Sequence, residues 1–290
     1  MKPAQRDWLI REYGRRLQLP YPMGLLEMLE EALELYRRHF VVLFGIGLVP
    51  ALLAIPLGME FSLLEAMPSQ HWPLFLAAVG LAYLFFLVSV SLGHGAQIWA
   101  AGKAIMGEPA SFGEAWVAVL KRSGALLLSH FLALFPAMMG VLLCGVGVLV
   151  TMVLFYILLA QVILLERRAY LRAITRHVQL LLPNWGWVRV LAFSFLAFLL
   201  TSSASMLIGW GGWAAFIVAE ILREAMPIAY WVSLAVGQLW QQLASALVTP
   251  YLATFLTLLY FDLRARREAY DLQVLVERWD SLSPSQPMLR

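Results

Sequence analysis

Histidine and glutamine side chains interrupt long apolar stretches of the chain, and they are the residues there that are most able to do chemistry. His94 is followed by Gln97 about one helical turn later, and His130 and Gln161 lie in the next apolar stretch. A histidine pair can bind a metal or relay protons, and such groups inside apolar spans are functional candidates by default. Metal sites usually add carboxylates or cysteines at i, i+3 or i+4, and neither histidine has one. The pattern therefore favours hydrogen bonds between helices, with no metal or cofactor.

A second candidate polar site lies in the last third of the chain. Pro250, like Pro136 before it, removes a helical N–H, and interrupted helices build substrate sites in transporters. Small and polar residues could line a cavity between the last two predicted helices. They are Ser202, Ser203, Ser205, Gln238, Gln241 and Gln242. The same residue types also hold membrane helices together, so packing is favoured and a transport site is the alternative.

Clusters of arginine flank the apolar stretches. They comprise Arg172 and Arg176 before the fifth predicted helix and Arg264, Arg266 and Arg267 after the last one. Each basic residue near an anionic membrane contributes about 1 kcal/mol to binding, so these side chains are predicted contacts for lipid headgroups or a partner. A role in anchoring the last helix explains the final cluster equally well. Asp262 precedes Arg266 by four residues, which is the favourable orientation for an ion pair on a helix.

Motifs that would indicate a catalytic activity are missing. The chain contains no P-loop, no His-Glu-x-x-His, no Gly-x-Ser-x-Gly and no Cys-x-x-Cys. We therefore expect a protein that is not an enzyme.

The elements that carry these residues follow from the composition. Of 290 residues, 61% are hydrophobic and 13% are charged, whereas a soluble domain has about a quarter charged residues. The longest uncharged stretch, from Arg122 to Glu166, holds 43 residues, enough for two helices of about 20 residues each. The sequence predicts an all-α, polytopic membrane bundle of about six transmembrane helices.

Three regions are predicted. Residues 1–39 form a segment before the membrane domain, residues 40–262 form the six-helix domain and residues 263–290 form a tail. The spans are expected at about 40–58, 73–99, 123–139, 141–165, 188–208 and 230–261.

The distribution of basic residues predicts the orientation of this domain. With these spans, only Arg223 of the 21 lysines and arginines falls on the opposite face from the rest. Because short loops rich in lysine and arginine stay in the cytoplasm, both termini are expected to be cytoplasmic.

Three amphipathic segments are expected to lie at the cytoplasmic interface. They are residues 23–38, 112–121 and 169–182. The first has an acidic face, and the apolar face predicted for it consists of Leu25, Leu26, Leu29, Leu33 and Tyr36. In the second, Ser111 is placed to cap the helix, with Glu114 at the third position.

Two stretches resemble a known family. The exit from the last span reads Tyr260-Phe261-Asp262-Leu263-Arg264 followed by a basic-acidic pair, and Glu166 precedes an Ala-x-x-Arg segment (173–176) and two tryptophans, Trp185 and Trp187. These features resemble the glycerophosphoryl diester phosphodiesterase membrane-domain family and related bacterial six-helix proteins. The resemblance implies the membrane domain without the catalytic barrel, because only 29 residues follow Phe261. It also implies a bacterial cytoplasmic (inner) membrane.

The functional expectation is a scaffold, assembly or membrane-organising subunit without enzymatic activity. Its expected partners are membrane lipids and other membrane proteins, and no nucleic acid. The alternative is a transporter or lipid-handling permease with a polar site between the last two helices.

Overall fold

The computed structural model of the chain describes residues 22–60, 62–63, 68–140, 146–270 and 273, and within this part all regular structure is helical. The predictions for residues 1–21, 141–145 and most of the tail fall outside the described residues. The α-helices are α1 (Leu25–Arg38), α2 (Phe40–Ala54), α3 (Trp72–Ile105), α4 (Phe112–Leu120), α5 (Ser123–Met138), α6 (Val146–Phe155), α7 (Leu159–Leu165), α8 (Tyr170–Leu181), α9 (Gly186–Leu222) and α10 (Pro227–Glu268). Short 3-10 turns follow α2 at Pro56–Met59, precede α3 at Ser69–His71 and precede α9 at Pro183–Trp185.

Several helices are long and apolar enough to cross a membrane. Five stretches meet this description, and a sixth results if α4 and α5, which meet at a bend of 63°, form one span. The five are Phe40–Met59, Ser69–Ile105, Gly147–Leu165, Gly186–Leu222 and Pro227–Glu268.

The helices α3, α9 and α10 extend beyond the spans predicted for them. They contain 34, 37 and 42 residues. The ends of the spans were predicted from aromatic and charged residues, which mark a membrane surface. Such residues do not end a helix, so the helices continue past them. At its C-terminal side, α3 continues past Trp99 to Ile105 and ends just before Gly107, whose φ of 71° no helical residue adopts.

α10 is the central helix of the bundle. It packs against α9, α2, α3 and α1. In the most apolar part of α10, 61% of the residues are buried, compared with 6% in α3 and 17% in α9. The helices α1, α2, α3 and α9 are therefore arranged around α10, whereas α4 to α7 pack against other helices.

The amphipathic helix α1 lies against α10 with a face that overlaps only in part with the one predicted, since Tyr36 is buried and Leu25 and Leu29 are partly buried against the core. The buried residues are Met28, Ala32, Leu35 and Tyr36, at the i, i+4, i+7 and i+8 spacing of one helix face. Leu26 and Leu33, expected on the apolar face, are 74% and 49% exposed. Tyr36 fixes the contact because its hydroxyl donates to the carbonyl of Leu247 at 2.6 Å.

The other two amphipathic segments also form short helices. Ser111 caps α4 as expected, since its hydroxyl accepts a hydrogen bond from the backbone N–H of Glu114 at 3.3 Å. In α8, the buried face consists of Ala173, His177, Leu180 and Leu181. Both helices therefore present one apolar face to the bundle.

Candidate functional site

The end of the bundle that carries most of the charged side chains, called the basic end below, contains two clusters of buried carboxylates and arginines. The first is centred on Glu166, at the C-terminus of α7. Arg176 of α8 binds it through two hydrogen bonds, from Nε to Oε2 at 2.8 Å and from Nη2 to Oε1 at 3.1 Å. The hydroxyl of Tyr260 donates to Oε1 at 2.8 Å. Glu166 thus joins α7, α8 and α10.

Glu268 provides the second carboxylate of this cluster. It lies 2.5 Å from Arg176 Nη2 and 3.1 Å from Arg264 Nε, and Arg264 is also 3.7 Å from Glu166. Burial alone would lower the pKa of Arg176 and raise that of Glu166. The hydrogen bonds and opposite charges of their partners outweigh the effect of burial. The pKa of Arg176 is therefore raised and that of Glu166 is lowered.

The second cluster is centred on Asp262, whose side chain is fully buried. Its carboxylate accepts hydrogen bonds from Arg189 Nε at 3.0 Å, from Arg266 Nε at 2.9 Å and from the backbone N–H of Met23 at 2.8 Å. Arg189 and Arg266 also donate to the carbonyl of Met23, at 2.7 and 2.9 Å. Asp262 therefore ties the segment before α1 to α9 and α10.

These clusters occupy most of the arginines predicted to contact lipid headgroups or a partner. Arg176, Arg264 and Arg266 are bound to the chain's own carboxylates, and Arg267 donates to the carbonyl of Pro183. Arg172 takes no part in these contacts, and it lines an open surface pocket of about 440 Å³ on α8 together with Arg168 and Arg176. The structure thus gives four of the five arginines an internal role.

His177 is a buried residue that the sequence analysis did not select. It is 1% exposed, and its Nε2 lies 3.0 Å from the carbonyl oxygen of Val153. Burial, with a small contribution from the nearby His130, lowers the pKa of His177 to about 4. Its position four residues after Ala173 places it on the buried face of α8. This helical spacing could have identified it from the sequence.

The predicted intramembrane polar residues separate into two groups. His94 and Gln242 line one cavity of about 150 Å³ between α2, α3 and α10, together with Gln97 and Thr249. Gln97 Oε1 is buried there without a hydrogen-bond partner among the described residues.

Two prolines lie beside this cavity. Pro50 of α2 lines it, and Pro250 of α10 is close enough that a Cβ added to Gly47 would lie 3.3 Å from its Cγ. A proline leaves the carbonyl four residues earlier without its helical donor. For Pro250 this is the carbonyl of Ala246, another residue of the cavity wall.

The other predicted residues lie outside this cavity, and some of them contact backbone carbonyls. His130 Nδ1 is 2.7 Å from the carbonyl oxygen of Leu126 in its own helix. Gln238 donates to the carbonyl of Gly58 at 2.7 Å, and Gln241 donates to that of Gly209 at 2.9 Å. Gln161 is fully buried, and neither polar atom of its side chain has a hydrogen-bond partner in the described part of the chain.

The interface between α9 and α10 is closely packed where the sequence analysis placed a polar cavity. A Cβ on Gly212 would lie 2.8 Å from the carbonyl oxygen of Gly237, so only glycine allows the two backbones to come this close. The indole N–H of Trp240 donates to the carbonyl of Ile208 at 2.7 Å. The cavity that contains Gln242 is instead on the α2 and α3 side of α10.

No group of three or more metal-ligating side chains occurs among the residues that the structure describes. Comparison of the chain with protein-family models, with curated proteins and with solved structures finds no match.

Proposed function

We propose that the chain is a multi-pass protein of the bacterial cytoplasmic membrane, with six spans and both termini in the cytoplasm. In this orientation the basic end faces the cytoplasm, as the positive-inside rule requires. Membership of the glycerophosphoryl diester phosphodiesterase membrane-domain family, without the catalytic barrel, is part of the same proposal. The residues that support it are the Tyr260–Arg264 exit and Glu166, which form the ion-pair clusters of the basic end.

We further propose that it acts as a scaffold or assembly subunit without enzymatic activity. The observation that carries this proposal is a difference between the two ends of the bundle. The basic end is fixed by the Glu166 and Asp262 clusters. At the opposite end, called the far end below, the described residues leave apolar side chains of α3, α9 and α10 exposed.

The extent of the far end follows from two contacts. Gln238 of α10 bonds to Gly58, and the hydroxyl of Tyr83 on α3 donates to Glu60. Both contacts mark the level at which α2 and its 3-10 turn end. The helices α3 and α10 continue past this level for 11 residues each, or about 16 Å at 1.5 Å per residue.

These extensions are apolar although α2 with its turn, 20 residues in length, is already long enough to cross the hydrocarbon layer of about 30 Å. Their exposed side chains include Leu74 and Ile228. The part of α9 after Gly212, which lies against Gly237 of α10, is at the same level and exposes Trp213 and Ile217. An apolar surface that extends beyond the length of a span needs another surface to cover it. Neighbouring membrane proteins would provide that cover. The basic end, fixed by its ion-pair clusters, would hold these proteins at fixed positions relative to one another.

Photocrosslinking tests this proposal. With p-benzoylphenylalanine at Trp213 or Ile217, which are 60% and 61% exposed, we expect discrete protein adducts in native membranes. The matched control is the same residue at Phe198, which is 56% exposed on the same helix but on the α2 side of that level, where lipid adducts alone are expected. Identical adduct patterns at all three positions, or no protein adduct at Trp213 and Ile217, would contradict the proposal.

The second candidate function, a transporter or permease, is favoured by the cavity between α2, α3 and α10. A volume of about 150 Å³ accommodates about five water molecules, and the amide, imidazole and hydroxyl groups of the wall suit a small uncharged solute. We expect Gln242→Leu to abolish glycerol flux into proteoliposomes if this function holds. Gln238→Leu, outside the cavity, should preserve it. Equal flux in the wild type and in protein-free liposomes would exclude glycerol transport.

A further inference from the structure

A groove at the basic end contains cations that the two carboxylate clusters do not neutralise. It has a volume of about 830 Å³ and lies between the C-terminal part of α3, α4 and the end of α7. Four basic residues line it, namely Lys103, Lys121, Arg122 and Arg167. They come from separate segments of the chain, so only the fold brings them together.

The charge balance of this groove differs from that of the clusters. Glu114 is the one acidic residue in its lining, and Lys103 also pairs with Glu108 at 3.4 Å. Neither Lys121 nor Arg167 forms an ion pair with any residue that the structure describes. The groove therefore carries an excess of positive charge, which an anion would neutralise.

Two of the cations also contact neutral groups, which orient the side chains but do not compensate their charge. Arg122 donates from Nη1 to the carbonyl of Ile163 at 3.0 Å, and its other N–H groups stay available, since a guanidinium has five. The ammonium of Lys103 lies 5.0 Å from the centre of the Trp99 ring, a cation–π contact. These contacts orient the donors before any ligand arrives.

The backbone at Arg167 has an unfavourable conformation. Its φ is 58°, in the left-handed region that glycine adopts readily and other residues seldom do. Residues other than glycine are disfavoured in this conformation, because their Cβ crowds the backbone. The Arg167 side chain is exposed, so its burial does not offset the unfavourable backbone conformation. What the side chain contributes at this position is its positive charge in the groove.

The groove also has an apolar part. Trp99, Val117 and Leu164 line it beside the cations, and tryptophan is enriched where membranes meet water. A ligand that matches this surface has a phosphate group next to a hydrocarbon chain. A small inorganic anion would match the cations alone.

We infer that this groove binds the phosphate group of an anionic phospholipid at the cytoplasmic surface. The inference rests on the proposed orientation of the membrane domain, but not on the scaffold role. The cations would hold the phosphate, and the apolar wall would contact the first carbons of an acyl chain. The groove is distinct from the arginines predicted from the sequence, most of which bind the chain's own carboxylates.

Binding measurements on the full chain in detergent test this inference, with phosphatidylglycerol, phosphatidylcholine, inorganic phosphate and glycerol 3-phosphate as probes. The combined variant Lys121→Gln with Arg167→Gln should bind phosphatidylglycerol about thirtyfold more weakly, since each basic residue near the anion contributes about 1 kcal/mol. The control, Arg37→Gln with Arg38→Gln, removes the same charge from exposed positions outside the groove and should change binding less than threefold.

The probes distinguish the source of the phosphate. Preference for phosphatidylglycerol supports the lipid. Equal binding of glycerol 3-phosphate, lost in the groove variant alone, would overturn the lipid assignment in favour of a soluble phosphate ester. Equal binding of phosphatidylcholine, or an equal loss in the control variant, would overturn the site itself. Failure of the crosslinking experiment at Trp213 and Ile217 would affect only the scaffold proposal.

Two single variants separate a ligand-binding role from a structural one. Arg167→Gly should leave the thermal stability unchanged or raise it, because glycine relieves the left-handed conformation, while the affinity for phosphatidylglycerol falls severalfold. Glu114→Gln should raise that affinity, because it removes the acidic residue of the lining. A stability loss in Arg167→Gly with unchanged affinity would show that the arginine has only a structural role.

Discussion

Replacement of Asp262 by alanine is expected to lower the free energy of unfolding by about 3–5 kcal/mol, the range observed when one partner of a buried ion pair is removed. The reason is that Arg189 and Arg266 would lose the buried carboxylate that compensates both charges. The N–H of Met23 would lose its acceptor at the same time. Unfolding by denaturant in detergent micelles, followed by tryptophan fluorescence, measures the effect.

A matched control is Glu34→Ala, which removes the carboxylate of an i, i+4 pair with Arg38 at 2.8 Å. Both side chains of that pair are about half exposed, and exposed pairs contribute at most about 1 kcal/mol. If the two substitutions destabilised the protein equally, the Asp262 cluster would not be the connection that we describe.

Replacement of Glu166 by glutamine is expected to destabilise the protein by about 3 kcal/mol, at the low end of the range for a broken buried pair. Glu268 remains beside Arg176 and Arg264 and compensates part of their charge. The pH dependence gives a second measurement. Because the pKa of Glu166 is lowered in the folded state, its contribution is complete above the unfolded value, 4.5, and is lost as the pH falls below it.

The comparison between the wild type and Glu166→Gln at different pH values isolates this contribution. The wild type should lose its advantage over the variant as the pH falls from 6 towards 3. A stability difference that stays constant over this range would mean that the Glu166 carboxylate does not keep its charge through the pairing with Arg176.

Local features of the fold could be predicted from the sequence because they depend only on helix geometry. The Ser111 cap and the Asp262–Arg266 pair, at 2.9 Å, require only fixed spacings along one helix. The helical class and the presence of helices apolar enough to span a membrane follow from composition. The lengths of α3, α9 and α10 did not follow, because a membrane surface limits a span but not the helix.

Contacts between distant residues could not be predicted from one sequence. Met23 and Asp262 are 239 residues apart, and no periodicity relates them. The predicted arginines were identified as a group, but which of them bind internal carboxylates depends on how α7, α8 and α10 meet. Pro50 was not selected, since its position beside Gly93 and the cavity depends on the packing of α2 against α3.

The central position of α10 has a consequence for biosynthesis. The ribosome produces α10 after all its neighbours, so α1, α2, α3 and α9 are synthesised before the helix that joins them exists. Until then, Arg189 has no buried carboxylate to pair with, and the segment at Met23 has nothing to bind. A nascent chain released before Asp262 is made thus exposes unpaired polar groups that quality-control proteases can recognise, whereas these groups are paired once α10 is present.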